Sequence, residues 1–280
     1  TLYHLEPDVK DAPGGLRDVS AARMLCRLTR PDRPPAFETG RLAEAEDFVV
    51  RVRSILHLER ERNLNVLTHE LQEIVASVFG LVDEAPRRRV ETLMSTYFHH
   101  TRIVRRSLDA TVKLVAPSPE TPVVAIGDDL VRWGKEISFA DGIRASLRPA
   151  TWLRAFEVAL DEDGTVSQQV LRCVERHGER YSPERFFPTE GERDRLLRML
   201  RPRPGLYAAL SNMHDSGLLG RLFPEFQKIY CHVILDFYHK FTVDEHTLLT
   251  IRNLESLCAP APKRKRFGGL LAEVRAPELL

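Results

Sequence analysis

Residues 87–115 read RRRVETLMSTYFHHTRIVRRSLDATVKLV, and this stretch decides the fold class. Apolar or small side chains recur every three or four positions, at Val90, Leu93 or Met94, Tyr97 or Phe98, Thr101, Val104 and Leu108. That spacing places them on one face of an α-helix. A proline cluster, APSPETP at 116–122, then interrupts the pattern. The stretch therefore predicts one long helix with a single buried face.

Two segments before this helix have the same period. In RLAEAEDFVVRVRSILHLERER (41–62) the apolar stripe leaves Glu44, Glu46, Arg51 and Arg53 largely on the other side. In THELQEIVASVFGL (68–81), Thr68 is a predicted N-cap and Gly80 a predicted end. Both segments therefore predict amphipathic helices.

Helical patterns also dominate the rest of the chain. VVAIGDDLVRWG (123–134) is compatible with a short strand or with a helix start, and its pattern does not separate the two. RPATWLRAFEVALDEDG (148–164) predicts a helix with Trp152, Phe156 and Leu160 inward, and a capping signal precedes a helix over 193–200. Alternating strands are almost absent, so we predict an all-α architecture.

Composition excludes several classes of protein. The 280 residues include 41 basic and 40 acidic side chains, a net charge of +1, which gives no general attraction to nucleic acid or an anionic membrane. The basic runs at 87–89 and 263–266 are short and are predicted to be solvated. No apolar run is long enough to span a membrane, and no signal peptide pattern is present. Four scattered cysteines predict reduced thiols and a cytoplasmic location.

The segment LEPDVKDAPGGLRDVS (5–20) is the first candidate site. Backbone N–H groups of Gly14 and Gly15 could approach a phosphate, with charge from Lys10 and Arg17. The segment matches neither G-x-G-x-x-G nor a P-loop, and a plain turn that caps the next helix is the favoured interpretation.

Acidic and histidine side chains supply two candidate metal sites. Glu6, Asp8, Asp11 and Asp18 are oxygen ligands of the kind that Mg²⁺ takes, with a solvated acidic loop as the favoured alternative. His239 and His246 occur in FYHKFTVDEHTL beside Asp244 and Glu245, which could ligate a metal if further ligands were close. Histidines 57, 99 and 100 are interpreted as ordinary packing or surface residues.

Five segments in the same order resemble the bacterial PII uridylyltransferase/uridylyl-removing enzyme family. That family's pattern is close to Leu-Glu-Pro-Asn-Val-Lys-Glu-Gly-Pro-Gly-Gly-Leu-Arg-Asp, and residues 5–18 match it except at Asp8, Asp11 and Ala12. The other four segments are AEDFVVRVRSILHL (45–58), VETLMSTYFHHTRIV (90–104), GLLGRLFPEFQKI (217–229) and FYHKFTVDEHTLLTIRNL (237–254).

The resemblance implies a domain plan. Residues 1–20 would end a nucleotidyltransferase domain, 21–116 would form a helical bundle of the substrate-binding type, 117–225 an irregular and helical continuation, and 226–280 the first helices of an HD-type domain. We expect this region to be a central piece of a longer enzyme, without either complete active site.

The resemblance also implies a chemistry. The family transfers UMP from UTP, with Mg²⁺, to a tyrosine of the PII nitrogen-signalling protein, and removes it at an HD site that holds a divalent metal, with glutamine as effector acting through other domains. By this resemblance Lys10, Gly14, Gly15, Arg17 and Asp18 would lie near the nucleotide phosphates. Glu6 is a candidate metal ligand, and His246 matches the first histidine of the HD motif.

Two alternatives stay open. The chain could be a helical interaction module that binds a PII-like partner without catalysis, or a metal-dependent hydrolase that uses His246 with other ligands. Neither nucleic acid nor a membrane is an expected partner.

Overall fold

The structure is a computed structural model that describes residues 5–29, 39–82, 85–115, 122–187, 189–235, 241–258 and 273–277. The chain divides into two compact units, residues 1–118 with 229–245, and residues 119–228 with 246–280. The helices of the described residues are α1 Leu16–Thr29, α2 Thr39–Arg60, α3 His69–Val78, α4 Pro86–Val115, α5 Gly142–Ser146, α6 Pro149–Asp161, α7 Gln168–His177, α8 Glu190–Met199, α9 Leu206–Asp215, α10 Leu218–Leu222, α11 Pro224–Lys228 and α12 Val243–Leu257. The strands are β1 Val123–Ile126, β2 Leu130–Trp133, β3 Glu136–Phe139 and β4 Thr165–Val166, and short 3₁₀ turns cover Gly178–Arg180 and Pro183–Arg185.

The first unit is organised around α4, which packs against α1, α2 and α3. The predicted stripe of α4 is buried from Val90 to Val104, with Met94 and Phe98 completely inaccessible to solvent, and Leu108 is half-buried. This confirms the long helix. Burying side chains of this size contributes about 1.5–3 kcal/mol each, so the buried face of α4 contributes strongly to this unit's stability.

The other predicted helices of this unit also form. The stripe of α2 buries Leu42, Ala45, Val49, Val52 and Leu56. Thr68 is the N-cap of α3 with extended backbone, and its side chain makes no capping hydrogen bond. Gly80 follows the end of α3 with a φ of +71°, a left-handed conformation that glycine adopts at little cost. The core of the unit also contains Cys231 and Val233 from the returning segment 229–235.

The second unit contains a small sheet that the all-α prediction omitted. Its strand order is β1-β2-β3-β4, with antiparallel pairing except between β3 and β4, which are parallel. The helix start considered for 123–134 is therefore wrong, and the strand alternative is right. Gly127 and Gly134 have φ values of +63° and +58°, which let the chain reverse in the two tight turns between these strands.

Helices still make up most of the described residues, so the helical class is confirmed apart from this sheet. In the second unit α6 packs against β3, and Trp152 and Phe156 are buried as predicted, while Leu160 is half-buried. The Trp152 indole donates to the carbonyl oxygen of Ala145 at 2.8 Å. Thr189 and Glu192 form a capping box at the start of α8. None of the described helices combines the length and the apolar character needed to cross a membrane.

Candidate functional site

The start of the signature segment pairs with the chain just before α3. Asp8 and Val66 form an antiparallel bridge, and the N–H of Val9 donates to the carbonyl oxygen of Asn65 at 2.8 Å. The Glu6 carboxylate accepts a hydrogen bond from the His69 N–H at 2.9 Å, in the first turn of α3. Glu6, the candidate metal ligand, therefore stabilises a helix N-terminus, where negative charge is favourable.

The turn that follows is held by its own carboxylates. Asp8 accepts from the N–H groups of Lys10 at 2.9 Å and Asp11 at 2.7 Å. Asp18, in the first turn of α1, accepts from the Gly14 N–H at 2.7 Å, and the Arg105 guanidinium lies 3.8 Å from the same carboxylate. The Asp8 and Asp18 carboxylates therefore hold the backbone of the turn in place.

The two glycines are required by close packing. Gly14 has a φ of +80°, and a Cβ atom on it would lie 2.7 Å from the carbonyl carbon of Thr101 and 2.8 Å from the Thr101 Cβ, both in α4. A Cβ on Gly15 would lie 2.7 Å from the carbonyl oxygen of Lys10. The favoured prediction of a turn that leads into the next helix is confirmed, because α1 begins at Leu16. The turn sits against the backbone of α4.

The cationic side chains of the segment remain accessible. Arg17 pairs with Asp11 at 2.9 Å, and the Arg17 side chain is 66% exposed. The Arg17 N–H donates to the Lys10 carbonyl at 3.0 Å, so that the fold brings the backbones of these two residues together. An exposed pair of this kind is weak, and Arg17 is therefore available to an anionic ligand.

The segment with the candidate HD histidine also contains Asp244, which forms a buried ion pair with a residue of α4. Asp244 is fully buried and its carboxylate faces Arg102 of α4 at 3.1 Å, while it also accepts from the Cys231 N–H at 3.0 Å. The guanidinium carbon of Arg102 lies 4.7 Å from the ring centre of Tyr230. His246 is exposed on α12, and His239 lies outside the described residues. Among the residues that the structure describes, no group of three or more His, Cys, Asp or Glu could hold a metal ion.

Sequence reasoning missed an aromatic cluster around the histidine pair of α4. The His100 ring stacks on Phe48 with 4.5 Å between ring centres, and His99 lies 6.0 Å from Tyr230. Burial, followed by the charge of His99, lowers the pKa of His100, and the opposing effect of Glu44 is smaller. Burial followed by Arg102 lowers the pKa of His99. The sequence signal that could have revealed this aromatic cluster is a histidine within an apolar stripe.

We expect the first unit to lose stability as the pH falls from about 6.5, the usual pKa of histidine. Because the folded pKa of His100 lies below its unfolded value, the unfolded chain takes up the proton first, and stability is complete only above the unfolded pKa. Urea unfolding followed by circular dichroism at pH 7.5 and 5.0 measures this. His100→Phe should show a smaller decrease in midpoint than the unmodified chain. His246→Phe, at an exposed position, should keep the full decrease; equal decreases in all three would contradict the assignment.

Comparisons with known proteins agree with the resemblance. Residues 1–112 match the family model described as GlnD PII-uridylyltransferase. A bifunctional uridylyltransferase/uridylyl-removing enzyme of Thiobacillus denitrificans is 32% identical over 100% of this chain and 35% of that protein. Enzymes of the same name from Vibrio vulnificus and Bordetella avium are 31% and 29% identical over 91% and 93% of this chain. They are covered over 31% and 32% of their own lengths.

The chain thus spans about a third of the length of the curated relatives that it matches. No solved structure matches it. The turn at 5–18, which carries the family signature, lies inside the matched residues and packs closely against α4 at Gly14. Residues 1–112 belong to the GlnD PII-uridylyltransferase family, and over its whole length the chain is related to the bifunctional uridylyltransferase/uridylyl-removing enzymes.

Proposed function

We propose that this chain serves in a bifunctional enzyme that transfers UMP from UTP to a tyrosine of a PII protein and removes it again. The observation that carries the proposal is the similarity to enzymes of that name over the full length of the chain. Free thiols at the four cysteines fit a reducing compartment, which supports a cytoplasmic location. Mg²⁺, UTP and a PII protein are the proposed cofactor, substrate and partner, with glutamine as the proposed effector.

Within that enzyme, the proposed role of these residues is to hold the turn at 5–18 in shape and to position its cationic side chains. Glu6, Asp8 and Asp18 each accept backbone hydrogen bonds in the turn, and the described residues offer no metal-binding group of three or more ligands. We therefore derive no metal-dependent step from this chain. Lys10 and Arg17 are the residues of the turn proposed to contact nucleotide phosphates, and Gly14, Gly15 and Asp18 would hold them in place. His246 remains a proposed HD-site residue.

An assay of UMP transfer tests this role. The protein that contains these residues should label a PII protein from UTP with Mg²⁺, whereas the 280 residues alone should label none above background. Arg17→Gln with Lys10→Gln should raise the KM for UTP about tenfold, the factor expected when about 1.4 kcal/mol of binding is lost. Lys135→Gln, which removes an exposed cation (77% exposed) outside the turn, is the control and should leave KM unchanged.

Two results would contradict the proposal. Robust transfer by the 280 residues alone would show that they hold a complete active site. No transfer to PII by the protein that contains them would remove the proposed activity itself.

A further inference from the structure

Gln72 is a polar side chain in the apolar core of the first unit. It lies in α3, and none of its surface is accessible to solvent. Its Nε2 donates to the carbonyl oxygen of Leu5 at 2.6 Å and to that of Leu67 at 3.0 Å. The side chains of Leu5 and Leu67 belong to the same core cluster. Gln72 therefore joins the start of the turn at 5–18 to the chain that enters α3.

Pro7 explains why a side-chain donor is needed at this place. Asp8 and Val66 form an antiparallel bridge, so Pro7 lies opposite Leu67. The Leu67 N–H donates to the Pro7 carbonyl at 2.9 Å. Opposed residues in this register normally exchange two backbone hydrogen bonds, and the second would need an N–H at residue 7, which proline does not have. The Gln72 amide supplies to the Leu67 carbonyl the hydrogen bond that Pro7 cannot give.

The amide group of Gln72 has a defined orientation. A glutamine amide carries two N–H donors, and two carbonyl oxygens lie within hydrogen-bond distance of its Nε2. Its Oε1 is inaccessible to solvent and accepts no hydrogen bond within the part of the chain that the structure describes. Reversing the amide would place Oε1 against two other acceptor oxygens. A buried acceptor without a donor is unfavourable, so what this glutamine contributes is the fixed position of Leu5 and Leu67.

Backbone hydrogen bonds continue from this pairing to the cationic residues of the turn. The Val9 N–H donates to the carbonyl of Asn65 at 2.8 Å, and the Val9 carbonyl accepts from the Leu16 N–H at 3.1 Å. The Arg17 N–H then donates to the Lys10 carbonyl at 3.0 Å. Lys10 and Arg17 thus directly follow two residues that the pairing holds, and loosening the pairing would move both.

We propose that Gln72 is a positioning residue for the contacts between the turn at 5–18 and the nucleotide. This inference rests on the proposed function, in which Lys10 and Arg17 contact the phosphates of UTP. Gln72 does not touch the nucleotide, because its side chain is completely buried. It acts by completing the pairing of Pro7 with Leu67, which sets the place from which the turn begins.

Steady-state UMP transfer by the protein that contains these residues tests this role, with Gln72→Leu as the variant. The change removes both donors, so the KM for UTP should rise about fivefold, which corresponds to about 1 kcal/mol of binding. The kcat should stay within about twofold, because the contacts affected are made equally in the ground state. Glu73→Leu, at the next and exposed position of α3, is the matched control and should leave KM unchanged. A merely structural role would lower the folded fraction, and with it kcat, without changing KM.

Two combined variants separate positioning from general damage. Pro7→Ala restores an N–H at residue 7 that can donate to the Leu67 carbonyl. Pro7→Ala together with Gln72→Leu should therefore recover part of the lost affinity for UTP. In the protein that already carries Lys10→Gln and Arg17→Gln, Gln72→Leu should raise KM no further, because the cations that it positions are absent.

Hydrogen exchange gives a readout that does not depend on activity. Gln72→Leu should speed exchange at the Val9 and Leu67 amides, which donate in the pairing, while the amides of α4 stay protected. If Gln72→Leu does not fold, Gln72→Asn takes its place, because its amide is one carbon shorter and cannot reach both carbonyls. Its KM should rise about threefold.

The kinetic results can overturn the role of Gln72 separately from the proposed function. The inference fails if a folded Gln72 variant keeps the KM of the unmodified protein. It also fails if Gln72→Leu raises KM by the same factor when Lys10 and Arg17 have been replaced. Absence of UMP transfer by the unmodified protein would overturn the proposed function, and this inference with it.

Discussion

Gly14→Ala is expected to destabilise the first unit by about 4 kcal/mol. A left-handed backbone costs an L-residue about 1–2 kcal/mol, and forcing extra atoms into a packed site costs about 1–3 kcal/mol more. Both terms apply here, because Gly14 has a φ of +80° and its Cβ would lie 2.7 Å from the carbonyl carbon of Thr101. Since α4 packs against α1, α2 and α3, it cannot move away without disturbing them.

Urea unfolding followed by circular dichroism measures this loss. Tryptophan fluorescence is the wrong probe, because Trp133 and Trp152 both lie in the second unit. Gly80→Ala is the matched control, with a φ of +71° in the same unit and nothing within 4 Å of its Cβ. It should lose only about 1–2 kcal/mol. Equal losses in the two variants would mean that the backbone conformation, and not contact with α4, is the reason why glycine is needed at position 14.

Asp244→Ala is expected to cost about 3–5 kcal/mol, the range for removing one partner of a buried ion pair. The change removes the carboxylate from Arg102, which is 3% exposed, and takes the acceptor from the Cys231 N–H. Cys231 has a φ of +51°, a strained conformation for a side chain other than glycine, and Asp244 helps to hold it. The segment 229–235 should then separate from the core of the first unit. Hydrogen exchange of residues 231–235 and urea unfolding measure the two effects.

Two variants separate burial from charge. Asp109→Ala removes a carboxylate from α4 that pairs with Arg105 at 3.1 Å. The Asp109 side chain is 50% exposed and the Arg105 side chain 37% exposed. This variant should cost no more than about 0.5 kcal/mol. Arg102→Met with Asp244→Leu should be less destabilising than Asp244→Ala alone, because no buried charge is then left behind. A double variant that is worse than the single one would show that the ion pair itself is net stabilising.

Local pattern predicted the helices because the period of an amphipathic helix is present in neighbouring residues. The stripe of α4, the N-cap at Thr68 and the end of α3 at Gly80 each depend on residues that are close to one another in the sequence. The sheet was only half recognised, since its strands are two to four residues long and offer too few alternations to detect. Its two hairpins turn at Gly127 and Gly134, where φ is positive.

The sequence by itself determined the helical class, the long helix α4 and the family to which residues 1–112 belong, because periodicity and an ordered motif are properties of neighbouring residues. Only the tertiary structure decided what the motif residues do. The sequence predicted a turn at the two glycines, and the structure shows that Gly14 fits closely against Thr101 of α4. Asp244 looked like a neighbour of a metal ligand, and it instead pairs with Arg102, 142 positions away. Each depends on a contact between distant parts of the chain, which no local pattern records.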